Sequence, residues 1–321
     1  MPTALTIYRT LPRFNCTQPS AVTIGNFDGV HRGHQAILAP VKKAADQYGL
    51  LPSVVTFTPH PRAFFAEKGH RPELIPTQIS NLRDKFTLLH EYGMQQIVLA
   101  KFNHALATLP AEQFIQQLLL KGLNTKWLLV GEDFRFGFQR KGDLDLLAQY
   151  AQRYDFTLHT IEDIQDAGGQ RISSSEVRTA LAVGNLERSQ ALLGHPYRLT
   201  GHVIHGQKLG RTIGFPTLNL RAPAFCAARS GIYIVRVLGL SDQPLPGVAS
   251  LGVRPTVTDN GALLLEVHLL DRNVDAYGKL VRVEFLHFVR DEEKFPNIET
   301  MTAAINSDAC RAREYFAING L

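Results

Sequence analysis

The chain has 321 residues, a length that accommodates two domains, each with its own hydrophobic core. Hydrophobic residues make up 45% of it and charged residues 20%, the ordinary balance of a soluble globular protein. The formal net charge of +5 comes from scattered basic residues rather than from the Lys/Arg blocks that indicate nucleic acid, and polyphosphate substrates explain it equally well.

Membrane, secretion and disulfide signals are not found in the sequence. No apolar run approaches the length of a membrane span, and residues 1–15 lack the hydrophobic core of a signal peptide. Cys16, Cys226 and Cys310 lie far apart, without a CxxC or a Cys/His cluster, so neither a disulfide framework nor a zinc site is expected. We therefore expect a cytoplasmic protein.

The first chemical motif lies in residues 21–34. A short apolar run at 21–24 predicts a buried strand, and apolar residues at helical spacing from 37 to 48 predict an amphipathic helix. Backbone N–H groups and the positive end of the helix dipole gather between such elements and favour a phosphate. The connecting turn reads Gly25-Asn26-Phe27-Asp28-Gly29-Val30-His31-Arg32-Gly33-His34.

His31 and His34 are three residues apart, so both imidazoles can face that phosphate from an opening helical turn. Two imidazoles there suit nucleotidyl transfer, because they neutralise charge on the α-phosphate and the leaving pyrophosphate without a covalent bond. The alternative is a pair of surface histidines, with Gly25, Gly29 and Gly33 serving turn geometry alone. The pattern is neither GxGxxG nor GxxxxGKS/T, which argues against a dinucleotide-binding oxidoreductase and a P-loop NTPase.

Predicted strands and helices alternate up to about residue 185. Pro110 suits a first helical turn, Gly93 and Gly122 suit helix ends, and Pro40 predicts a kink rather than a break. This rhythm predicts a parallel sheet with helices on both faces and ligands beyond the carboxyl ends of the strands. The predicted strands are 21–24, 54–57, 96–99, 127–130 and 156–161, and the predicted helices include 82–92, 111–121 and 144–154.

Two loops in this half follow predicted strand ends, where site residues are expected. After the strand ending at 130, Asp133 can accept hydrogen bonds from a ribose or base, and Arg135 can contact phosphate. Phe134 and Phe136 suit a core position and a stacking position equally. After the strand ending at 57, Arg62 can contact a second substrate.

A second candidate anion site lies at residues 171–178, Arg-Ile-Ser-Ser-Ser-Glu-Val-Arg. Ser173 and Glu176 have the spacing of a capping box, which predicts that a helix begins there. Three hydroxyl groups, free backbone N–H groups and Arg178 then form a cradle for an anion. The alternative is an ordinary helix cap with a surface arginine.

The rhythm changes from residue 198 onward. Successive predicted strands without helices between them indicate an antiparallel sheet or barrel, closed by one helix at 298–316. With a short helix at 186–193 before this change, we expect two domains, 1–185 and 186–321. The predicted strands are 198–205, 231–238, 263–270 and 280–288.

Two further candidate groups lie in the second half. Residues 206–212 superficially resemble a P-loop, but the spacing and the surrounding strands exclude one. Thr217 and Asn219 point the same way in an extended segment and offer oxygen atoms that suit Mg²⁺, although an ordinary turn explains them as well. Glu266 and His268 alternate with apolar residues, so Glu266 either faces solvent or serves as a general base in a cleft.

Six segments together resemble one family. The chain is similar to the bacterial bifunctional riboflavin kinase/FMN adenylyltransferase (FAD synthetase) family. The resemblance implies an HxGH-type α/β nucleotidyltransferase followed by a six-stranded kinase barrel. It also implies two reactions with ATP and Mg²⁺: riboflavin gives FMN, and FMN gives FAD and pyrophosphate. The segments, in order, are GNFDGVHRGH, GEDFRFG, RISSSEVR, GRTIGFPTLN, LEVHLLD and RDEEKF.

The resemblance also implies roles for individual residues. His31 and His34 assist adenylyl transfer, and Glu266 is the general base of the kinase. Thr217 and Asn219 hold Mg-ATP. The flavin contacts are Arg62, Arg290 and Glu293, and the ATP contacts are Gly25, Asn26, Phe27, Asp28, Gly33, Asp133, Ser174, Ser175, Arg178, Lys208 and Gly210.

Some positions depart from the family pattern. Ser175 stands where Thr is usual and keeps the hydroxyl, whereas Ser250 replaces a common Asn and affects a fine contact of the kinase site. Two rival hypotheses are an enzyme with one inactive half and a flavin- or nucleic-acid-binding regulator without turnover. The retained HxGH, Pro-Thr-x-Asn and Glu266 favour an enzyme. No nucleic-acid, membrane or obligate protein partner is indicated.

Overall fold

The computed structural model describes residues 4–9, 18–166, 168–206, 214–253, 263–272 and 274–320. Packing divides the chain into two compact units, one formed by 1–76 and 85–173 and the other by 77–84 and 174–321. This division differs from the expected boundary at 185/186, because residues 174–185 and the segment 77–84 pack with the second unit. The functional domains 1–185 and 186–321 stay a prediction.

The first unit is built on a parallel sheet, as predicted, with six strands where the sequence indicated five. Its strand order is β1-β4-β3-β2-β5-β6, so β2 lies inside the sheet between β3 and β5. The first strand has three residues, too few for its periodicity to be recognised in the sequence. The strands are β1 (Thr6–Tyr8), β2 (Ser20–Ile24), β3 (Leu51–Thr58), β4 (Gln96–Lys101), β5 (Thr125–Gly131) and β6 (Thr157–Ile161).

Helices cover both faces of this sheet. Neighbouring residues of one strand enter different cores: Val54 packs with Leu38, whereas Val55 packs with Leu118. The first helix continues through Pro40. The helices are α1 (Arg32–Tyr48), α2 (Pro61–Lys68), α3 (Leu82–Glu91, which crosses the unit boundary at 84/85), α4 (His104–Ala107), α5 (Ala111–Phe114, extended by the π-helix Ile115–Gly122) and α6 (Leu144–Tyr154).

The second unit is a curled antiparallel sheet with strand order β7-β12-β9-β10-β11-β8. An antiparallel bridge between Ile204, just after β7, and Asn219 of β8 brings the two edges of the sheet together. The last helix packs on the outer face, where Phe316 meets Val248. The elements are α7 (Ser174–Ala182), α8 (Leu186–Leu193), β7 (Tyr197–His202), β8 (Thr217–Arg221), β9 (Gly231–Leu238), β10 (Leu245–Val253), β11 (Leu263–Leu269), β12 (Leu280–Arg290) and α9 (Ile298–Asn319).

The segment 77–84 is part of the second unit although it lies far away in sequence. The backbone of Gln78 bonds to residues 225 and 227 at 2.5 and 2.9 Å. The buried carboxylate of Asp84 accepts hydrogen bonds from the N–H and the hydroxyl of Thr200, at 2.9 and 2.5 Å. Burial raises the pKa of Asp84, against the opposing effect of the Thr200 hydrogen bonds. The segment 77–84 therefore stabilises β7, although it precedes the strands of the second unit by more than 100 residues.

Among the helices that the structure describes, none combines the length and the apolar character needed to cross a membrane.

Candidate active sites

The histidine turn lies at the point where the parallel sheet changes direction. From β2 the chain continues to β3 and β4 on one side of the sheet. It then crosses to β5 and β6 on the other side of β2. Loops leaving the carboxyl ends at such a point diverge and leave a crevice, the usual ligand position in open α/β sheets. The turn leaves β2 at Ile24, and α1 begins at Arg32. The predicted position of His31 and His34 beyond a strand and at a helix start is confirmed.

The backbone of this turn is held in an unusual conformation. Phe27 and Val30 have φ of 48° and 42°, in the left-handed region that residues other than glycine rarely adopt. The hydroxyl of Thr56 and the ammonium of Lys85 both donate to the carbonyl oxygen of Asn26 at 2.9 Å. Such strain persists only where surrounding groups enforce it, and it concentrates at functional sites.

The two imidazoles are stacked at the start of α1. Their ring centroids are 3.7 Å apart and their planes differ by 21°. Nδ1 of His31 accepts the backbone N–H of His34 at 3.4 Å, which leaves the proton of the neutral His31 ring on Nε2. A Cβ at Gly33 would lie 3.0 Å from the Ile172 oxygen and 3.1 Å from the His31 ring, so glycine allows this packing.

Asp133 lies at the same edge of the sheet. It follows β5, which pairs with β2 so that Leu129 is opposite Thr23. Its carboxylate is exposed and lies 3.6 Å from the guanidinium of Arg171, which also pairs with Asp163 at 2.9 Å. A carboxylate in this position is available to a ligand in the crevice.

The aromatic and basic neighbours of Asp133 differ in burial: Phe136 belongs to the core, whereas Phe134 and Arg135 are accessible to solvent. Phe136 is buried in the core against Phe114, whereas its stacked neighbour Phe134 is only partly buried. Arg135 is exposed and donates to the carbonyl of Phe134 at 3.1 Å. Arg62 is exposed in the first turn of α2, just beyond the end of β3. The carboxyl edge of the sheet therefore carries Arg62 as well as Asp133.

The serine motif starts a helix, as predicted, because α7 begins at Ser174. Ser174, Ser175 and Arg178 belong by packing to the second unit. Nε of Arg178 donates to the carbonyl of Thr77 at 2.6 Å, within that unit. A common ATP site of these residues with the two histidines stays a prediction.

In the second unit, three strands bring candidate residues into one row. Glu266 of β11 lies directly opposite Asn219 of β8 and, on its other side, opposite Ser250 of β10. Directly opposed residues share a face of the sheet, with Cβ atoms about 4.5–5.5 Å apart. Leu265 and Val267, which flank Glu266, are buried in the opposite direction. The alternation predicted for this strand is confirmed.

Asn219 lies at one end of this row, and Thr217 lies two residues before it on the same face of β8. Thr217 is opposite His268, whose Nδ1 lies 3.0 Å from the carbonyl of Pro216. Asn219 is buried, and its Nδ2 donates to the carbonyl of Thr217 at 3.3 Å. A Cβ at Gly206 would lie 2.5 Å from that nitrogen, so only glycine permits the close approach.

The predicted flavin residues have structural partners as well. The guanidinium of Arg290 makes a bidentate pair with buried Asp308 of α9, with N–O distances of 3.1 and 2.7 Å, and this pair raises the pKa of Arg290. Glu293 lies 3.9 Å from Arg290. Sequence reasoning missed Asp308 because nothing local connects a helical aspartate to a strand end. Lys208 and Gly210 lie outside the described residues.

Comparison with known proteins identifies the family of this chain. Residues 14–176 match the family model described as FAD synthetase, and residues 193–316 match the model described as riboflavin kinase. The bifunctional riboflavin kinase/FMN adenylyltransferase of Escherichia coli (strain K12) is 42% identical over 297 residues, 92% of this chain and 93% of that protein. The corresponding Haemophilus influenzae protein is 41% identical over 302 residues, covering 93% and 95%.

The chain belongs to the bifunctional riboflavin kinase/FMN adenylyltransferase family. It is an enzyme with both activities, and the two family models fall on the two sheets of the structure. A crystal structure named as a macrolide-efflux protein from Streptococcus pneumoniae has the same fold, with a TM-score of 0.79 and 30% identity over 96% of this chain and 98% of that one. The parallel-sheet unit is thus the adenylyltransferase part, and the antiparallel unit contains the kinase part.

Proposed function

We propose that His31 and His34 stabilise the transition state in which AMP passes from ATP to FMN. An oxygen of the FMN phosphate attacks the α-phosphorus of ATP, and the bond to the bridging oxygen of pyrophosphate breaks. The observation that carries this proposal is the stacked imidazole pair at the start of α1, beyond the central strand β2. Nε2–H of His31 and the N–H groups of the first helical turn are donors for the charge that develops on phosphate oxygens.

The remaining residues of the adenylyltransferase site bind rather than react. Phosphates contact the strained turn, and Asp133 accepts hydrogen bonds from the ribose or base of ATP. Arg62 contacts the flavin nucleotide. In our proposal the ATP-binding set comprises Gly25, Asn26, Phe27, Asp28, Gly33, Asp133, Ser174, Ser175 and Arg178.

In the kinase site, Glu266 acts as the general base. It accepts the proton of the terminal ribityl hydroxyl of riboflavin as that oxygen attacks the γ-phosphorus of ATP, and ADP leaves. The register supports this role because Glu266 lies beside Asn219 and is half-buried on a defined face. Arg290 and Glu293 contact the flavin, and Lys208 and Gly210 contact ATP.

Thr217 and Asn219 suit Mg²⁺ by their chemistry. A hydroxyl and an amide oxygen are hard donors, and Mg²⁺ typically uses few protein ligands together with substrate phosphates. The proposal is supported by the register, in which Asn219 lies opposite Glu266 and Thr217 lies opposite His268 on the same face, and by Gly206, which leaves Asn219 room. Mg²⁺ bound here neutralises phosphate charge. Within the described ranges, no three His, Cys, Asp or Glu side chains gather to form another metal site. We also propose that the protein is located in the cytoplasm, because its three cysteines are isolated in the sequence and suggest a reducing compartment.

A time course tests the proposed function. Purified protein is incubated with riboflavin, ATP and Mg²⁺, and flavins are separated by chromatography. We expect FMN to appear first and FAD afterwards, and expect neither when EDTA replaces Mg²⁺. A second reaction that starts from FMN measures the adenylyltransferase alone. FMN without FAD in both reactions would show that the histidine site is inactive, and no product from riboflavin would show that the kinase site is inactive.

A further inference from the structure

The end of β12 and the loop that follows it are held at three consecutive residues, 290, 291 and 292. Each side chain bonds to a different element: α9, the segment before β9, and β10. Three successive residues are thus each held by a different part of the unit. The contacts are Arg290 with Asp308 at 2.7 Å, Asp291 with Arg229 at 2.6 Å, and Glu292 with Ser250 at 2.9 Å.

The third anchor reaches the neighbour of Glu266. Ser250 stands directly opposite Glu266 in the β10–β11 pair, and its hydroxyl donates to Oε1 of Glu292. Glu266 in turn faces Asn219 across the β11–β8 pair. The loop is therefore attached to the same row of residues that contains Glu266. The other two contacts attach the loop to Asp308 of α9 and to Arg229 before β9.

The strand is shaped to receive this carboxylate. A Cβ at Gly252 would lie 2.1 Å from Oε1 of Glu292 and 2.4 Å from its Cδ. Any side chain at position 252 would displace Glu292, so the glycine permits a close approach that Ser250 then secures.

We propose that Ser250 and Glu292 are positioning residues for riboflavin phosphorylation. Their hydrogen bond holds the loop against β10 and thereby fixes the wall beside Glu266, where the reacting hydroxyl has to lie. A displacement of about 1 Å in a reacting group can cost up to ~10²-fold in rate. Neither residue touches the reacting atoms. The inference rests on the proposed role of Glu266 as the general base.

The test compares three variants of the full chain: Ser250→Ala, Glu292→Ala and the double variant. We expect each single variant to lower kcat for riboflavin phosphorylation roughly tenfold, with KM for ATP and the melting temperature unchanged. The double variant should lose no more than either single one, because both changes remove the same bond. Ser250→Thr keeps the hydroxyl and should retain most of the rate.

Two controls separate this role from general loop anchoring. Asp291→Ala removes the neighbouring anchor to Arg229, which does not lie beside Glu266, and should change kcat little. Adenylylation of supplied FMN should be normal in every variant. Glu292 is exposed, so Glu292→Ala reports on kcat even if Ser250→Ala proves unstable.

An unchanged kcat in both single variants would overturn the proposal. It would also be overturned if the losses of the two single variants multiplied in the double variant, or if Asp291→Ala lowered kcat equally. These outcomes differ from a failure of the Glu266 assignment, which Glu266→Gln tests by itself. Near-normal turnover in Glu266→Gln would refute the base while leaving the Ser250–Glu292 coupling measurable.

Discussion

The orientation of the His31 ring follows from one backbone hydrogen bond. Because Nδ1 accepts the N–H of His34, the proton of the neutral His31 ring is on Nε2. His34 is held by stacking, with His31 on one side and the buried ring of Phe27 at 4.9 Å. Both imidazoles are thus placed before a substrate arrives, which is the condition for electrostatic stabilisation of a transition state.

Replacing His34 should separate the two activities. We expect His34→Ala to lower FAD formation from FMN by about 10²–10³-fold, the usual cost of removing one electrostatic stabiliser. Riboflavin phosphorylation should stay near normal, because its candidate residues follow position 200. Rates measured with FMN and with riboflavin as separate substrates check this. Equal loss of both rates in a folded variant would contradict separate sites.

Glu266→Gln replaces one carboxylate oxygen by an amide nitrogen in the row formed by Asn219, Glu266 and Ser250. Glutamine keeps the shape and reach of glutamate but cannot accept the proton of the ribityl hydroxyl. The rate of riboflavin phosphorylation should fall by roughly 10²–10⁴-fold, with substrate binding nearly unchanged. Adenylylation of FMN serves as the internal control. If Glu266 is only a surface residue of the strand, both rates will be normal.

At the residue scale the sequence predicted positions better than conformations. The placement of His31 at a helix start followed from glycine spacing and apolar periodicity. The left-handed Phe27 and Val30 could not be predicted, because distant donors such as Thr56 and Lys85 hold this turn. For the same reason, nothing local indicated that Asp308 holds Arg290 or that Glu292 reaches Ser250.

At the scale of elements, regular amphipathic patterns gave accurate bounds. Helix α8 spans Leu186–Leu193, as predicted. The predicted helix 111–121 is instead α5 followed by the π-helix Ile115–Gly122, a change of hydrogen bonding that periodicity does not reveal. Strand β10 was not predicted, because Pro246, Gly247 and Gly252 weaken its signal. Its neighbours supply the pairing that its own sequence does not favour.

The segment 77–84 stabilises the barrel through Asp84. Asp84→Ala leaves the N–H and hydroxyl of Thr200 without their acceptor and should lower the stability of the kinase unit by about 1–3 kcal/mol. The loss is measured as riboflavin kinase activity remaining after heating. Arg313→Ala is the matched control, since it removes an exposed pair with Asp271 that should contribute little. Equal heat resistance of Asp84→Ala and the unchanged protein would refute this role.

Helix α7 also packs with the second unit, and its Val177 and Leu181 are buried. A fragment of residues 174–321 should therefore make FMN but not FAD. A fragment of 186–321 lacks α7 and should lose its kinase activity at a lower temperature. Thermal inactivation of the two fragments side by side measures the difference. If the shorter fragment is equally stable, α7 contributes nothing to this unit.

At the scale of the whole molecule, the sequence predicted two architectures and two activities but not how packing divides the chain. The change from alternating elements to successive strands was visible as a change of rhythm. The inclusion of 77–84 in the second unit was not, because a segment of eight residues within a βαβ pattern has no distinct signal of its own.

If the two sites work independently, two variants that are each defective in one site should complement each other. No single substitution tests this. His34→Ala retains a working kinase site, and Glu266→Gln retains a working adenylyltransferase site. An equimolar mixture of the two variants, given riboflavin, ATP and Mg²⁺, should therefore form FAD, although neither variant forms it efficiently alone. FMN released by one protein becomes the substrate of the other. Chromatography of the mixture that shows FAD confirms independent sites, and a mixture that forms no more FAD than the separate variants would contradict them.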